Sequence, residues 1–222
     1  KQVFHHKRRT YETSGFKEFS LNYLHSPPIF MELIERSGYL DILHKQLQQT
    51  VRGEGFIFFL IGEAGIGKTS LVKAFVREVE DDCQVYTGTC DALFTPRPLA
   101  PLFDIAYQIG RQLPELLQST TDKSTLFTAF LQQLKSISSP IILVFEDIHW
   151  ADEATLDFIK FLSRRITRSK CLFILTLRDN EISENQALRN VLADLSPDVM
   201  QKIALPPLSR QAVKEMASAK GY

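Results

Sequence analysis

One run of eight residues, 62–69, constrains the fold of this 222-residue chain more than any other feature. It fits the spacing G-x-x-x-x-G-K-[ST], a glycine-rich turn that ends in lysine and a hydroxyl residue. The run follows six apolar residues, 56–61, which are typical of a short strand buried on both faces. It precedes a segment, 67–80, with the apolar periodicity of a helix. The pattern predicts a strand, a turn and a helix, with the turn wrapped around a phosphate group.

The turn supplies the chemistry that a nucleotide phosphate requires. Glycines allow left-handed backbone angles, so successive N–H groups can point at phosphate oxygens. The start of the helix adds the positive end of its dipole. Lys68 would place a positive charge between the β- and γ-phosphates, and Thr69 would offer a hydroxyl to Mg²⁺. We therefore predict a nucleotide site formed by Gly62, Glu63, Ala64, Gly65, Ile66, Gly67, Lys68, Thr69 and Ser70.

Short apolar strands alternate with helical periods along the rest of the chain. The sequence predicts strands at 56–61, 84–88, 141–145, Cys171–Leu177 and 202–205. It predicts helices whose apolar faces lie within 40–51, 67–80, 102–113, 126–134 and 156–166, and one near the end of the chain. The helix over 102–113 is expected to stop near Pro114. This alternation predicts an α/β fold with a parallel sheet covered by helices on both faces and with ligands at the carboxyl edge.

The two ends of the chain differ in character. Residues 1–28 are polar and irregular, and we expect them to form an N-terminal linker or arm. We expect residues 29–222 to form a single P-loop core.

Two acidic residues follow the predicted strand 141–145. Glu146 and Asp147 have no use in an apolar core, because removing a carboxylate from water is costly. At the carboxyl edge of a sheet they can face the phosphate turn and hold the shell of Mg²⁺. By their order, Glu146 would hold the metal and its water, and Asp147 would polarise the attacking water. A simple exit of the strand into solvent is the alternative.

The segment 146–152, Glu-Asp-Ile-His-Trp-Ala-Asp, resembles the acidic motif of the STAND ATPases, the signal-transduction branch of the AAA+-like P-loop proteins. The turn 62–70 is similar to the loop of the same family, and the resemblance covers about residues 31–212. It looks in particular like the ATPase module of large LuxR-type regulators, of the maltose-regulon activator group and of multidomain cyclases and kinases. The resemblance implies an AAA+-like three-layer α/β/α core that binds ATP and Mg²⁺. It also implies that residues 29–222 are a P-loop ATPase core that stops before its helical lid.

The resemblance also implies roles for two arginines. Arg178 ends a segment similar to the fourth-strand sensor of the family and would reach the γ-phosphate, with a plain salt bridge as the alternative. Arg36 stands where the family has Gly-Arg-Glu near the adenine, although the glycine and the glutamate are missing here. Such ATPases usually carry Asp before Glu after the strand. Because Glu146 and Asp147 invert that order, their two roles stay open and slow hydrolysis is expected.

A protein of this kind would be a nucleotide switch, whose ATP and ADP forms differ in shape and are read by attached domains. We expect a slowly hydrolysing module of a multidomain signalling or transcription regulator. Its partners would be the lid, sensor and output domains of the same polypeptide, with nucleotide-dependent self-association also allowed. The alternatives are an AAA+ ATPase that works on DNA, of the origin-loading or remodelling type, and a P-loop small-molecule kinase. The Asn-Lys-x-Asp motif of GTPases is absent from the sequence.

The composition limits the kinds of partner that the chain is expected to bind. Lys and Arg total 26, as do Asp and Glu, so the formal net charge is zero and bulk positive charge is excluded as a route to nucleic acid. We expect DNA contacts only through domains outside this chain. No apolar run is long enough for a transmembrane helix, so no membrane partner is expected. The three cysteines form no Cys-x-x-Cys pair and are expected to be free thiols of a cytoplasmic protein.

Four residues close to this site have competing interpretations. Asp152 is predicted to cap the helix that starts at Glu153, in preference to a place in the nucleotide site. His149 would sense the γ-phosphate or a partner domain, or serve a structural role. Trp150, the single tryptophan, is expected to pack, and Thr176 is expected to be an ordinary strand residue.

Overall fold

The computed structural model describes residues 33–92, 97–110, 113–119 and 122–219. The linker or arm predicted at 1–28 lies outside the described residues. The sheet consists of β1 (Phe56–Ile61), β2 (Gln84–Thr89), β3 (Ile141–Glu146), β4 (Cys171–Leu177) and β5 (Met200–Ala204). All pairings between neighbours are parallel, in the order β2-β3-β4-β1-β5. The predicted parallel α/β sheet is therefore confirmed.

Helices fill the connections between the strands. Their bounds are α1 (Ser37–Val51), α2 (Lys68–Val79), α3 (Ala100–Ile109), α4 (Leu113–Ser119), α5 (Lys123–Lys135), α6 (Glu153–Ser163), α7 (Asp179–Glu184), α8 (Gln186–Asp194) and α9 (Arg210–Ala219). Because the strands are parallel, their carboxyl ends all meet at one edge of the sheet. The turn after β1 and the acids after β3 share this edge, which we call the carboxyl edge.

The sheet separates two apolar clusters, and successive side chains of each central strand enter opposite ones. Phe58 and Ile174 pack with residues of α1 and α2 on one face. Phe59 and Phe173 pack with residues of α3, α5, α6 and α8 on the other face. All seven residues of β4 are buried, as the continuous apolar run predicted. The result is the three-layer α/β/α arrangement that places the carboxyl edge between the helical layers.

Two of the predicted helices end at other residues, and three helices were not predicted. The helix predicted over 102–113 is present as α3, but its predicted end near Pro114 is wrong: α3 ends at Ile109, because Gly110 has a φ of +69° and does not continue the helix. Pro114 lies in the first turn of α4, where the absence of an N–H is harmless. Ile166 follows α6 in a short 3₁₀ turn, Ile166–Arg168, instead of extending it. The helices α4, α7 and α8 were not predicted from the sequence.

The two outer strands differ from the central ones. The strand predicted at 202–205 is present as β5, which runs from Met200 to Ala204. It is an edge strand with only Ile203 buried, so the expectation that it is buried is wrong. On β2, the side chain of Gln108 accepts a hydrogen bond from the N–H of Thr87 at 3.0 Å and donates to its carbonyl at 2.5 Å. The α3 side chain thus pairs with backbone groups that a neighbouring strand would otherwise occupy.

Among the described residues, no helix combines the length and the apolar character needed to span a membrane.

Candidate functional site

The glycine turn connects β1 to α2 at the carboxyl edge. Gly65 and Gly67 have φ angles of +75° and +101°, in the left-handed region that favours glycine. The N–H of Gly62 donates to the carbonyl of Leu177 at 3.3 Å, which ties the start of the turn to the end of β4. Glu63 and Ala64 are exposed. The turn therefore presents its backbone to solvent at the entrance of a helix, the arrangement in which N–H groups bind phosphate.

Lys68 is bent back over the turn that precedes it. Its side chain is buried, and Nζ donates to the carbonyls of Gly62 at 2.8 Å and Glu63 at 2.9 Å. Burial lowers the pKa of Lys68, the nearby Asp147 carboxylate opposes that shift, and Arg178 adds to it. The ammonium group thus lies inside the turn and within electrostatic reach of both residues. Thr69, next in α2, is half-buried, and Ser70 is exposed.

The two acids occupy different backbone positions. Glu146 is the last residue of β3 and is half-buried, whereas Asp147 follows the strand in a left-handed conformation with a φ of +55°. The N–H of Asp147 donates to the hydroxyl oxygen of Thr176, near the end of β4, at 3.0 Å. Because β4 lies between β1 and β3, its end separates the acids from the glycine turn. The predicted acids do reach the same edge as Lys68.

Arg178 follows β4 and precedes α7. Its guanidinium lies 4.8 Å from the centre of the Trp150 ring, and Nη1 lies 3.9 Å from Oε1 of Glu181. Arg178 is therefore at the carboxyl edge, as the sensor role requires, and it also makes the ion pair that was the alternative. In this conformation Trp150 and Glu181 hold the Arg178 guanidinium beside the candidate nucleotide site.

His149 is a second buried polar residue beside the acids, together with Thr176. Its imidazole is enclosed, its two ring nitrogens have no hydrogen-bond partner in the described structure, and Nδ1 lies 3.9 Å from Oδ1 of Asp147. Burial lowers the pKa of His149, so the ring is neutral near pH 7. The ring also contacts Trp150, with centroids 4.5 Å apart. An unpaired buried imidazole is uncommon, and here it lies against the candidate catalytic carboxylate.

Arg36 lies under the glycine turn. It is only 3% exposed, and Nη2 donates to the carbonyl of Pro206 at 2.7 Å and to that of Ile66 at 3.4 Å. The preceding residue, Glu35, accepts a hydrogen bond from the N–H of Ser209 at 2.8 Å. The structure thus brings Arg36 into contact with the predicted loop, and it joins that loop to the connection between β5 and α9.

Asp152 caps α6, as predicted. Its carboxylate accepts hydrogen bonds from the N–H groups of Ala154 and Thr155 at 2.9 and 3.1 Å. It also accepts from the N–H of Leu99 at 3.0 Å, just before α3. One carboxylate therefore fixes the starts of two helices.

Two contacts of this site were not predicted from the sequence. The Thr176 hydroxyl binds the Asp147 backbone, and the Glu35 carboxylate binds Ser209. For Thr176 a signal existed, because it is the single hydroxyl residue in an otherwise apolar strand, two positions before Arg178. For Glu35 there was none, since its partner lies 174 residues away.

The residues at this edge fit Mg²⁺ bound together with a nucleotide. Thr69, Glu146 and Asp147 offer hydroxyl and carboxylate oxygens, the ligands that Mg²⁺ prefers. Across the described ranges, no group of three or more His, Cys, Asp or Glu side chains is assembled for a metal. Such a sparse set suits an ion that keeps several waters and takes further oxygens from substrate phosphates.

The family comparison agrees with this geometry. A family model described as "AAA ATPase domain" matches residues 32–175, well over half of the chain. No curated protein matches the chain.

Several solved structures share the fold at low sequence identity. The chain resembles the ORC1 protein of Aeropyrum pernix in complex with DNA, with a TM-score of 0.63 and 16% identity over 84% of this chain and 49% of that one. It resembles CDC6P of Pyrobaculum aerophilum with a TM-score of 0.60 and 18% identity over 88% and 52%. It resembles a Walker-type ATPase of Pyrococcus abyssi with a TM-score of 0.54 and 14% identity over 83% and 57%. The chain spans about half the length of the first two proteins, and these likenesses concern the fold alone.

Proposed function

Since the chain belongs to the AAA ATPase domain family, we propose that it is a nucleotide switch that binds ATP and hydrolyses it slowly. The switch would be one module of a multidomain signalling or transcription regulator. The observation that carries the proposal is the position of Lys68 at the carboxyl edge: the carbonyls of Gly62 and Glu63 hold its ammonium inside the glycine turn, within electrostatic reach of Asp147 and Arg178. A triphosphate needs positive charge on one side and a metal-holding acid on the other, and this edge offers both.

The proposed binding step starts at the glycine turn. The N–H groups of Gly65 and Gly67 and the start of α2 would bind the phosphate oxygens. Lys68 would exchange its two backbone carbonyl partners for the β- and γ-phosphates. This exchange replaces neutral acceptors with anionic ones, which strengthens the hydrogen bonds. Nucleotide binding would thus change the conformation of the turn itself, which is what a switch requires.

The proposed hydrolytic step uses the acids. Mg²⁺ would be held by Thr69 and Glu146 together with the phosphates, and its charge would offset the charge that develops on them. Asp147 would orient the attacking water, and Arg178 would contact the γ-phosphate after leaving Glu181. Because aspartate is one methylene shorter than glutamate, water activation by Asp147 would be inefficient. This is our reason for expecting slow turnover.

Titration calorimetry and a single-turnover assay test this proposal. We expect Mg·ATP and Mg·ADP to bind, GTP to bind more weakly, and ATP to be hydrolysed more slowly than the enzyme median of about 10 s⁻¹. No binding of any nucleotide would contradict the switch, and turnover as fast as that of a motor would contradict the slow module. Equal affinity for GTP would remove the adenine preference.

A second candidate, an AAA+ ATPase that works on DNA, has one observation in its favour. Lys135, Arg164, Arg165 and Arg168 are exposed and line one depression beyond the amino ends of β3 and β4. The sequence shows no basic stripe because Lys135 is distant from the others along the chain. A patch of this kind can bind phosphate backbones with a strong dependence on salt. Anisotropy with a labelled DNA duplex, compared between wild type and an Arg164→Glu/Arg168→Glu variant, distinguishes this candidate from the regulator.

A further inference from the structure

Arg36 is a buried arginine whose guanidinium forms no ion pair with a carboxylate among the described residues. Its hydrogen bonds within the described structure all go to backbone carbonyls, those of Pro206, Ile66 and Glu35. Burying a guanidinium is costly unless hydrogen bonds and an opposite charge compensate it. The Glu35 carboxylate acts on Arg36 electrostatically without forming an ion pair, so the direct hydrogen-bond partners of this buried charge are the carbonyls beside the glycine turn.

The contact with Ile66 sets the direction of a backbone N–H. The described residues contain no cis peptide bond, so the peptide between Ile66 and Gly67 is trans and planar. In such a unit the carbonyl and the following N–H point in opposite directions. When Arg36 holds the carbonyl of Ile66 on its own side, the N–H of Gly67 must face the other side of the turn. Neither Gly65 nor Gly67 donates its N–H to any acceptor in the described part of the chain.

A second contact fixes the position from which Arg36 acts. The same nitrogen, Nη2, makes its shorter bond to the carbonyl of Pro206, at 2.7 Å. That segment is anchored by two further hydrogen bonds: the N–H of Leu205 donates to Ile61 at 2.8 Å and the N–H of Ser209 donates to Glu35 at 2.8 Å. The bond from Ser209 lowers the pKa of Glu35, so this carboxylate is charged at neutral pH. These hydrogen bonds hold the segment 205–209 in place, and the bond to Pro206 holds the Arg36 guanidinium beside the turn.

We propose that Arg36 is a positioning residue that orients the N–H of Gly67 toward the phosphates by holding the carbonyl of Ile66. The proposal rests on the proposed function, since it gives Arg36 a part in binding the triphosphate. It assigns Arg36 to the phosphate turn, whereas the resemblance to STAND ATPases implied a place near the adenine. The two assignments differ in the ligand on which they depend: a phosphate role is independent of the base, and an adenine role is not.

Calorimetry with three ligands separates these roles. Mg·ATP, Mg·GTP and Mg·tripolyphosphate are titrated into wild type and into Arg36→Met. We expect the variant to lose about tenfold in affinity for all three ligands, by the same factor. Arg36→Lys, which keeps a donor that can reach one carbonyl, should lose less. Arg52→Met, at an exposed arginine beyond the end of α1, is the control and should bind as wild type does.

The outcomes point in distinct directions. A loss of ATP binding with unchanged tripolyphosphate binding would overturn the proposal in favour of an adenine contact, and no loss for any ligand would also overturn it. If wild type binds none of the three ligands, the proposed function itself fails. Should Arg36→Met not fold, the amide resonance of Gly67 in wild type provides the second measurement. It should shift on addition of tripolyphosphate alone, and an unmoved resonance contradicts the proposal.

Discussion

The hydroxyl oxygen of Thr176 accepts a hydrogen bond from the backbone N–H of Asp147 at 3.0 Å. This bond joins the end of β4 to the candidate catalytic acid after β3. Asp147 has a φ of +55°, a left-handed conformation that aspartate adopts more readily than most non-glycine residues. The hydrogen bond from its N–H, worth about 0.5–1.5 kcal/mol, helps to hold this conformation. The direction of the Asp147 carboxylate therefore depends on a side chain of the neighbouring strand.

Removal of that hydroxyl should impair hydrolysis more than binding. In Thr176→Val the shape of the side chain is kept but the N–H of Asp147 loses its acceptor, so the carboxylate shifts from its position. We expect about a tenfold loss in kcat with little change in KM, measured by phosphate release. Thr176→Ser, which keeps the hydroxyl, is the control and should retain most of the rate. Equal rates for the Val variant and wild type would contradict a positioning role.

Lys68→Ala should abolish measurable Mg·ATP binding in calorimetry, because the loss removes the cation expected between the β- and γ-phosphates. Lys73→Ala, at an exposed position on the same helix, should bind as wild type does. Thermal unfolding should show that both variants remain folded. Retained ATP affinity in Lys68→Ala would be incompatible with the proposed site.

Two glycines should respond in opposite ways to replacement by alanine. A Cβ atom at Gly88 would lie 2.4 Å from the carbonyl oxygen of Pro101, so Gly88→Ala should destabilise the protein by at least 1–3 kcal/mol, roughly the cost of an overpacked core. Gly38 lies in α1 with nothing within 4 Å of its position, so Gly38→Ala should stabilise by about 0.5–1 kcal/mol. Urea unfolding measures both. A tolerated Gly88→Ala would show that β2 and α3 are not packed this closely.

Asp152→Ala should lower the free energy of unfolding by about 1–2 kcal/mol, because the carboxylate caps α6 and also binds the N–H of Leu99. Asp152→Asn keeps an acceptor and should lose less. Both variants should bind ATP as wild type does when measured well below the unfolding temperature. A selective loss of ATP affinity in a fully folded Asp152 variant would place this residue in the nucleotide site instead.

Burial of the Cys171 thiol should make the free energy of unfolding fall as the pH rises above 9. Burial raises the pKa of its thiol from the ordinary value of 9.0 to about 12. Because the folded-state pKa is the higher one, this stabilisation is complete below pH 9 and is lost as the pH rises toward 12. Between pH 8 and pH 10, wild type should lose on the order of 1 kcal/mol more unfolding free energy than Cys171→Ala. Parallel pH profiles from urea unfolding would contradict the prediction, and the other two cysteines are common to both proteins.

Apolar runs and the glycine turn were sufficient to predict the central sheet, because buried parallel strands and phosphate turns depend on local patterns. The run Cys171–Leu177 matches β4 at both ends. The break at Gly110 was missed because the apolar period of α3 continues through Leu113 into the next helix. The helix α7 was missed because it has no buried residue and hence no apolar period.

The candidate site could be predicted only in part. Its loop and its acids have characteristic spacing, and both reach the carboxyl edge. The contacts that orient the loop and the acids have no characteristic spacing in the sequence. Arg36 binds Pro206 across 170 residues, and Thr176 binds Asp147 across 29. Such pairs arise from strand order and not from local sequence. Their partners are, moreover, often backbone atoms, which carry no side-chain signal.

The position of Trp150 has a practical consequence. This indole is the only one in the chain, and it contacts both the Arg178 guanidinium and the His149 ring at the carboxyl edge. All tryptophan emission therefore comes from a single ring that touches the candidate sensor. If Arg178 moves when ligand arrives, the emission of the unlabelled protein should change in intensity or wavelength. The molecule thus carries an intrinsic spectroscopic probe, suitable for stopped-flow measurement of each binding step.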